Sequence, residues 1–189
     1  MSADEWMADA GSAGQVIARL GLPPDGRVLI VSRLTEANTV WPLIVATMGA
    51  GLQHSCADAT AADAFRIRMF LRTLRYDAVL GVGPETLDDD AAAETIDLLR
   101  AVPTLVARPG AYERLEAAGM HPLRWLEVGP VLAIEDAPGA GAWFDPERWS
   151  VTSDAGELVV ASPVPRLAEF SGLRTGVRGE VRDGRIFSG

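Results

Sequence analysis

Between residues 27 and 128 the chain alternates between two hydrophobic periods, and that alternation limits the folds open to it. Short apolar runs of strand character occupy residues 27–32 (RVLIVS), 52–56 (LQHSC), 77–82 (DAVLGV), 104–107 (TLVA) and 123–128 (LRWLEV). The first is a continuous β-branched run of the kind a parallel sheet buries on both faces. Between the runs lie segments with helical spacing. Ser32 or Thr35 opens one through Met48, stopped by Gly49-Ala50-Gly51. Asp58 or Thr60 opens another that carries Phe65, Met69, Phe70, Leu71 and Leu74. Residues 85–102 form a third with an acidic first turn (Asp88, Asp89, Asp90), and residues 111–118 a fourth, ended by Gly119. Strand, helix, strand repeated in this way predicts an α/β fold, a doubly wound and mostly parallel sheet.

The two ends depart from that rhythm. Residues 1–11 are polar and expected to be a flexible N-terminus, with a first helix over residues 12–20 capped by Ser12 and stopped by Gly21. The α/β sheet core is assigned to residues 12–130. After residue 131 glycine, proline and tryptophan become frequent and the runs turn short and β-like. Asp183-Gly184 is a strong hairpin signal. Residues 131–189 are expected to form a small C-terminal antiparallel β appendage.

Composition removes several classes of function. The formal net charge is −9, and the arginines are scattered, so no basic stripe exists to neutralise phosphates and no nucleic-acid partner is expected. The longest apolar run, residues 40–52, is interrupted by Pro42 and too short for a bilayer, so no membrane partner is expected. One cysteine, Cys56, gives no intrachain disulfide, and no signal peptide is visible at the acidic start. A cytoplasmic location is the expectation, and the arginine-only, alanine- and glycine-rich usage points to a GC-rich bacterial genome. His54 and His121 lack partners at ligand spacing, so neither a metal nor a cofactor is expected.

Two segments carry a family resemblance. Gly156-Glu157-Leu158-Val159-Val160, followed by Arg174-Thr175-Gly176 and Asp183-Gly184-Arg185-Ile186-Phe187, resembles the G-E-L-V-V-T strand and the R-T-G-D…D-G-x-I-x-F segment of the adenylate-forming superfamily. That superfamily holds the acyl-CoA synthetases and phenylacetate-CoA ligase. Residues 27–52, 65–82, 102–115 (VPTLVARPGAYERL) and 123–130 (LRWLEVGP) resemble, less specifically, the ligase stretches that build the acyl-pocket wall and lead to its G-G-E turn. The resemblance implies an acyl- or aromatic-acid-binding fold. Its motifs for ATP are missing: no S-G-T-T-G-x-P-K phosphate loop, no Y-G-x-T-E, and Val177 where the family's ribose-gripping aspartate stands. The 17 basic residues are all arginine, so no lysine can stabilise an acyl-adenylate as the family's lysine does. The resemblance implies a shortened, catalytically degenerate relative, ending before the family's mobile carboxy-terminal domain. Such a protein would bind an acyl or aromatic acid or act as a scaffold, as a homodimer or beside a complete ligase.

The alternative is an ATP-independent enzyme acting on the same class of substrate. His54 and Cys56 lie two apart and share a strand face, and Asp58 follows, which together invite a nucleophile, base and orienting carboxylate. A structural cysteine beside an ordinary histidine at a strand end is the plainer explanation of the pair. For ligand binding the resemblance implicates Arg108, in the acyl-wall segment, with Trp125, Arg174 and Thr175. A β-turn with a surface arginine is the plain alternative for Arg174 and Thr175. Gly81-Val82-Gly83-Pro84-Glu85 lacks the third glycine of a dinucleotide turn and reads as a tight turn with Pro84 opening a helix. Arg66, Arg68, Arg72 and Arg75 read as a solvated helix face paired with carboxylates, and Trp125, Trp143, Phe144 and Trp149 as core.

Overall fold

The computed structural model describes residues 3–188. Its larger sheet begins with five parallel strands: β1 (Arg27–Ser32), β2 (Gln53–Asp58), β3 (Ala78–Val82), β4 (Thr104–Ala107) and β5 (Leu123–Val128). They lie in the order β5-β4-β3-β1-β2, so the chain winds first towards β2 and then reverses past β1 towards β5. Helices cover both faces, as the doubly wound expectation requires. On one face α1 (Ala3–Arg19) and α2 (Ala37–Gly49) pack on Val28, Ile30, Leu80 and Val106. On the other, α3 (Ala64–Thr73), α4 (Ala92–Leu99) and α5 (Ala111–Ala117) enclose Leu29, Val31, Val79 and Leu105. Alternate residues of β1 serve opposite cores, which is why that run is apolar throughout.

Three local differences from the sequence expectation have physical causes. Met1 and Ser2 lie outside the described residues, but residues 3–11 are helical rather than frayed. The stripe of Val16 and Ile17 extends back through Ala13 to Ala10, and Asp4 and Glu5 sit in the first turn where the helix dipole favours them. Ser12 is therefore mid-helix and caps nothing. The expected helix over residues 85–102 is a 3-10 turn at Pro84–Leu87 followed by the shorter α4. Asp89 leaves the helix pattern to accept a hydrogen bond from Arg68 at 2.6 Å. Arg68 is accordingly buried, not part of a solvated face.

The segment after residue 130 does two things. It extends the large sheet with antiparallel strands β6 (Val131–Glu135), β7 (Ala142–Trp143), β11 (Glu180–Arg182) and β12 (Arg185–Phe187), in the order β5-β6-β7-β12-β11. It also builds a separate three-stranded antiparallel sheet, β8 (Ser150–Asp154), β9 (Glu157–Ala161) and β10 (Ser171–Arg178), ordered β10-β9-β8. Hydrogen bonding thus continues from β5 into β6 across residue 130. Leu126, Val128, Phe144, Trp149, Val151, Leu158, Val160 and Ile186 form a third core that joins the small sheet to the antiparallel end of the large one. Trp125, Trp143, Phe144 and Trp149 are all buried.

Candidate functional site

The parallel strands open their carboxyl ends on one side of the molecule, where open α/β sheets place ligands. The centre of that end is Arg108, the residue after β4. Its guanidinium donates to both carboxylate oxygens of Glu36, at 2.9 and 2.6 Å, and to Glu127 at 2.7 Å. Its Nε donates to the Gly81 carbonyl at 3.1 Å, and the group lies 4.8 Å from the centre of the Trp125 ring. Trp125 in turn donates through Nε1 to Glu127 at 2.9 Å.

Local backbone explains the aim of these groups. Gly81 sits in β3 at φ +85, at a slip in register with β4, and a Cβ there would come within 2.5 Å of the Val31 carbonyl. Only glycine fits, and the bulge turns its carbonyl towards Arg108. Glu36 is placed by a 3-10 turn over Leu34–Glu36 that follows β1, and it also accepts from the Arg33 backbone N–H at 3.0 Å. Arg33 reaches over the same end to pair with Glu85. Arg33, Pro84, Arg108, Pro109, Trp125 and Glu127 line an open hollow of about 260 Å³.

Glu36 also borders a second cleft of about 400 Å³. Thr35, Asn38 and Thr39 form one wall, Gly129 and Pro130 of the β5–β6 turn a second, and Trp149, Arg166 and Phe170 a third. Trp149 and Phe170 meet edge to face at 5.5 Å, and Arg166 stacks 4.0 Å from the Trp149 ring centre. Asp9 of α1 lines the cleft as well. It accepts from Arg166 at 2.6 and 3.2 Å and from Arg148 at 3.0 Å. The Nε groups of Arg166 and Arg148 are buried without a hydrogen-bond partner among the described residues.

The residues singled out from sequence separate into three places. Arg108 and Trp125 are together at the strand ends. Arg174 and Thr175 lie on β10 of the small sheet. Arg174 is held by Asp154 at 2.6 Å and Glu157 at 2.8 Å, contacts that raise its pKa further and leave its charge matched. The Glu157 carboxyl is held below its usual value by the Gly176 backbone N–H first and by Arg174 second. Thr175 donates to the Leu158 carbonyl at 2.8 Å, while its methyl group covers Gly129 beside the second cleft.

His54, Cys56 and Asp58 fall elsewhere. They lie within β2, the last strand of the sheet, with His54 and Cys56 exposed in the body of the strand rather than beyond its carboxyl end. Among the described residues no hydrogen bond joins the three. Loss of surrounding water raises the Cys56 pKa, so its thiolate is scarce near neutrality. Glu36, Glu127, Asp9 and Arg166, which shape the site, carry no motif and are brought in by long-range pairing. Among the described residues no cluster of His, Cys, Asp or Glu could hold a metal ion, and no helix is long and apolar enough to cross a membrane.

No protein-family model matches the sequence, and no curated protein matches it. Solved structures do. A 2-hydroxyisobutyryl-CoA ligase, in the postadenylation state with an acyl-AMP, superposes with a TM-score of 0.69 at 15% identity, covering 100% of this chain and 48% of that one. ATP-bound MatB from Rhodopseudomonas palustris gives 0.60 at 12% identity over 95% of this chain and 42% of its own. Coronafacic acid ligase from Pectobacterium brasiliense gives 0.61 at 12% identity, again over 95% and 42%. The chain therefore has the fold of part of these acyl-activating ligases and spans about half of their length.

Proposed function

We propose that this chain is a binding protein built on the ligase fold, which takes an acyl or aromatic acid in the 400 Å³ cleft and does not itself form an acyl-adenylate. The observation that carries this reading is the cleft's composition. An aromatic pair, Trp149 and Phe170, borders the cleft and gives a ring or acyl chain an apolar edge, and two guanidinium groups, Arg166 and Arg148, share the single Asp9 carboxylate beside it, which leaves positive charge for an acid. What an ATP site needs is not found in the matched region. There is no lysine, Val177 replaces a ribose-gripping carboxylate, and Arg108 and Arg174 are already neutralised by the chain's own acids. A triphosphate would have to displace those carboxylates to reach either guanidinium.

A thermal-shift series with benzoate, phenylacetate, CoA, AMP and ATP tests the reading. Ligand that binds the folded state raises the melting temperature, the more so the tighter it binds. An aromatic acid should stabilise the protein and quench Trp149 fluorescence, and Phe170→Ala should remove both effects. Stabilisation by ATP, or release of pyrophosphate from ATP and an acid, would overturn the proposal. The reading of His54, Cys56 and Asp58 as a nucleophilic site gains no support from the placement of those residues.

A further inference from the structure

We infer that the outer edge of β2 is an interface at which two copies of this chain join their sheets across a twofold axis. Gln53 and Ala59 donate their backbone N–H groups inward, to Gly26 and Ser32 of the β1 side, both at 2.9 Å. In a parallel ladder the alternate residues then face away from β1, so the amides of His54, Cys56 and Asp58 point out of the sheet. Asp58 is already capped, donating to Asp63 Oδ2 at 2.8 Å. His54 and Cys56 keep a free N–H and a free C=O each, with no partner among the described residues.

Edge strands of soluble proteins are normally blunted by charge, proline, a bulge or a covering loop. This one has none of these over residues 53–57, whose side chains are Gln, His, Ser, Cys and Ala. The free groups are two residues apart, which suits a second copy running antiparallel. Pairing His54 with Cys56 of the other copy, and the reverse, satisfies all four groups on each side and leaves capped Asp58 outside the ladder. No other twofold register uses both residues. The ends match in charge as well. Arg27, bonded to Gln53 Oε1 at 2.7 Å, lies at the start of the edge, and Asp58 and Asp63, the latter paired with Arg66, lie at its end. Antiparallel pairing brings the basic start of one copy to the acidic end of the other.

Apolar surface continues the same face. The α1 side of α2 carries Asn38, Thr39 and Pro42. Trp41, Ile44 and Met48, at i, i+3 and i+7, fall on the side turned away from α1, above the β2 edge. Trp41 is 54% exposed and Met48 61%. With His54 and Cys56 beneath them, they make a strip free of Asp, Glu and Arg on a chain of net charge −9, where two copies can approach with least repulsion.

Light scattering on the full chain, at up to about 100 µM and so above the dissociation constant of a micromolar dimer, should give a mass near twice 20.1 kDa. Cys56→Pro, which an edge strand tolerates, and Trp41→Glu should each give monomers with an unchanged circular dichroism spectrum. His54→Cys tests the register, because it sets the introduced thiol opposite Cys56 of the other copy at about 5.5 Å between Cα atoms, within disulfide reach. Mild oxidation should link that variant into a covalent dimer and leave the wild type, with Cys56 alone, unlinked. A monomeric wild type, a dimer that survives in folded Cys56→Pro and Trp41→Glu, or a His54→Cys variant that does not cross-link would overturn the inference.

Discussion

Arg108 and Glu36 face each other as a two-bond fork, 2.9 and 2.6 Å, although 72 residues separate them, and both side chains are largely withdrawn from water. Removing one member of such a pair leaves the other charge buried alone, at a cost of about 3–5 kcal/mol. Arg108→Met should therefore lower the unfolding free energy by roughly 3 kcal/mol in urea titration. The double variant Arg108→Met/Glu36→Leu should lose clearly less than the sum of the single changes, because neither charge remains.

Gly81 is the backbone support of that fork. Alanine at φ +85 meets strain as well as the Val31 carbonyl, so Gly81→Ala should destabilise by about 2 kcal/mol or more. Gly49→Ala is the control. A Cβ there meets nothing, the residue is helical, and the change should be neutral or stabilising by up to about 1 kcal/mol. Thermal or urea melts of the two variants side by side check both.

Much of this architecture is legible in the sequence. The apolar runs at residues 27–32, 77–82, 104–107 and 123–128 match β1, β3, β4 and β5 almost to the residue, because each is short, rich in β-branched or aromatic residues and bounded by turn or helix signals. The run at 52–56 is less apolar, since an edge strand needs less burial, and its strand extends to Asp58. The tail is harder to read. Strands as short as Ala142–Trp143 carry no period, and their membership of the large sheet depends on partners such as Ile186, far along the chain. The site divides in the same way. Family resemblance marks Arg108 and Trp125, while Glu36, Asp9 and Arg166 act through pairings over 72 to 157 residues that leave no local trace.

Asp136 supplies a pH test. Hydrogen bonds from Arg185, at 2.7 and 2.9 Å, hold its carboxyl below the ordinary aspartate value. A depressed folded-state pKa stabilises above the unfolded value, near 4, and that gain is lost as pH falls through the folded value. Asp136→Asn should cost on the order of 1 kcal/mol at about pH 5 to 7. The gap between variant and wild type should narrow below about pH 4 when both are followed by thermal melts.

Asp9 ties the first helix to the segments that flank the small sheet's strands, through Arg148 just before β8 and Arg166 between β9 and β10. Asp9→Ala strands two buried guanidinium groups and should destabilise by about 3 kcal/mol. Hydrogen exchange should show the loss first around residues 162–170, which hold Arg166 and belong to no helix or strand.

The cleft gathers its walls from α1, from the start of α2, from the β5–β6 turn and from the stretch around Phe170. A compound lodged there would act as a staple between the opening and closing thirds of the polypeptide. Even a modest binder could thus rescue poorly folding variants whose lesions lie far from it, as a pharmacological chaperone does, since it rewards only the chain that has brought all four segments together.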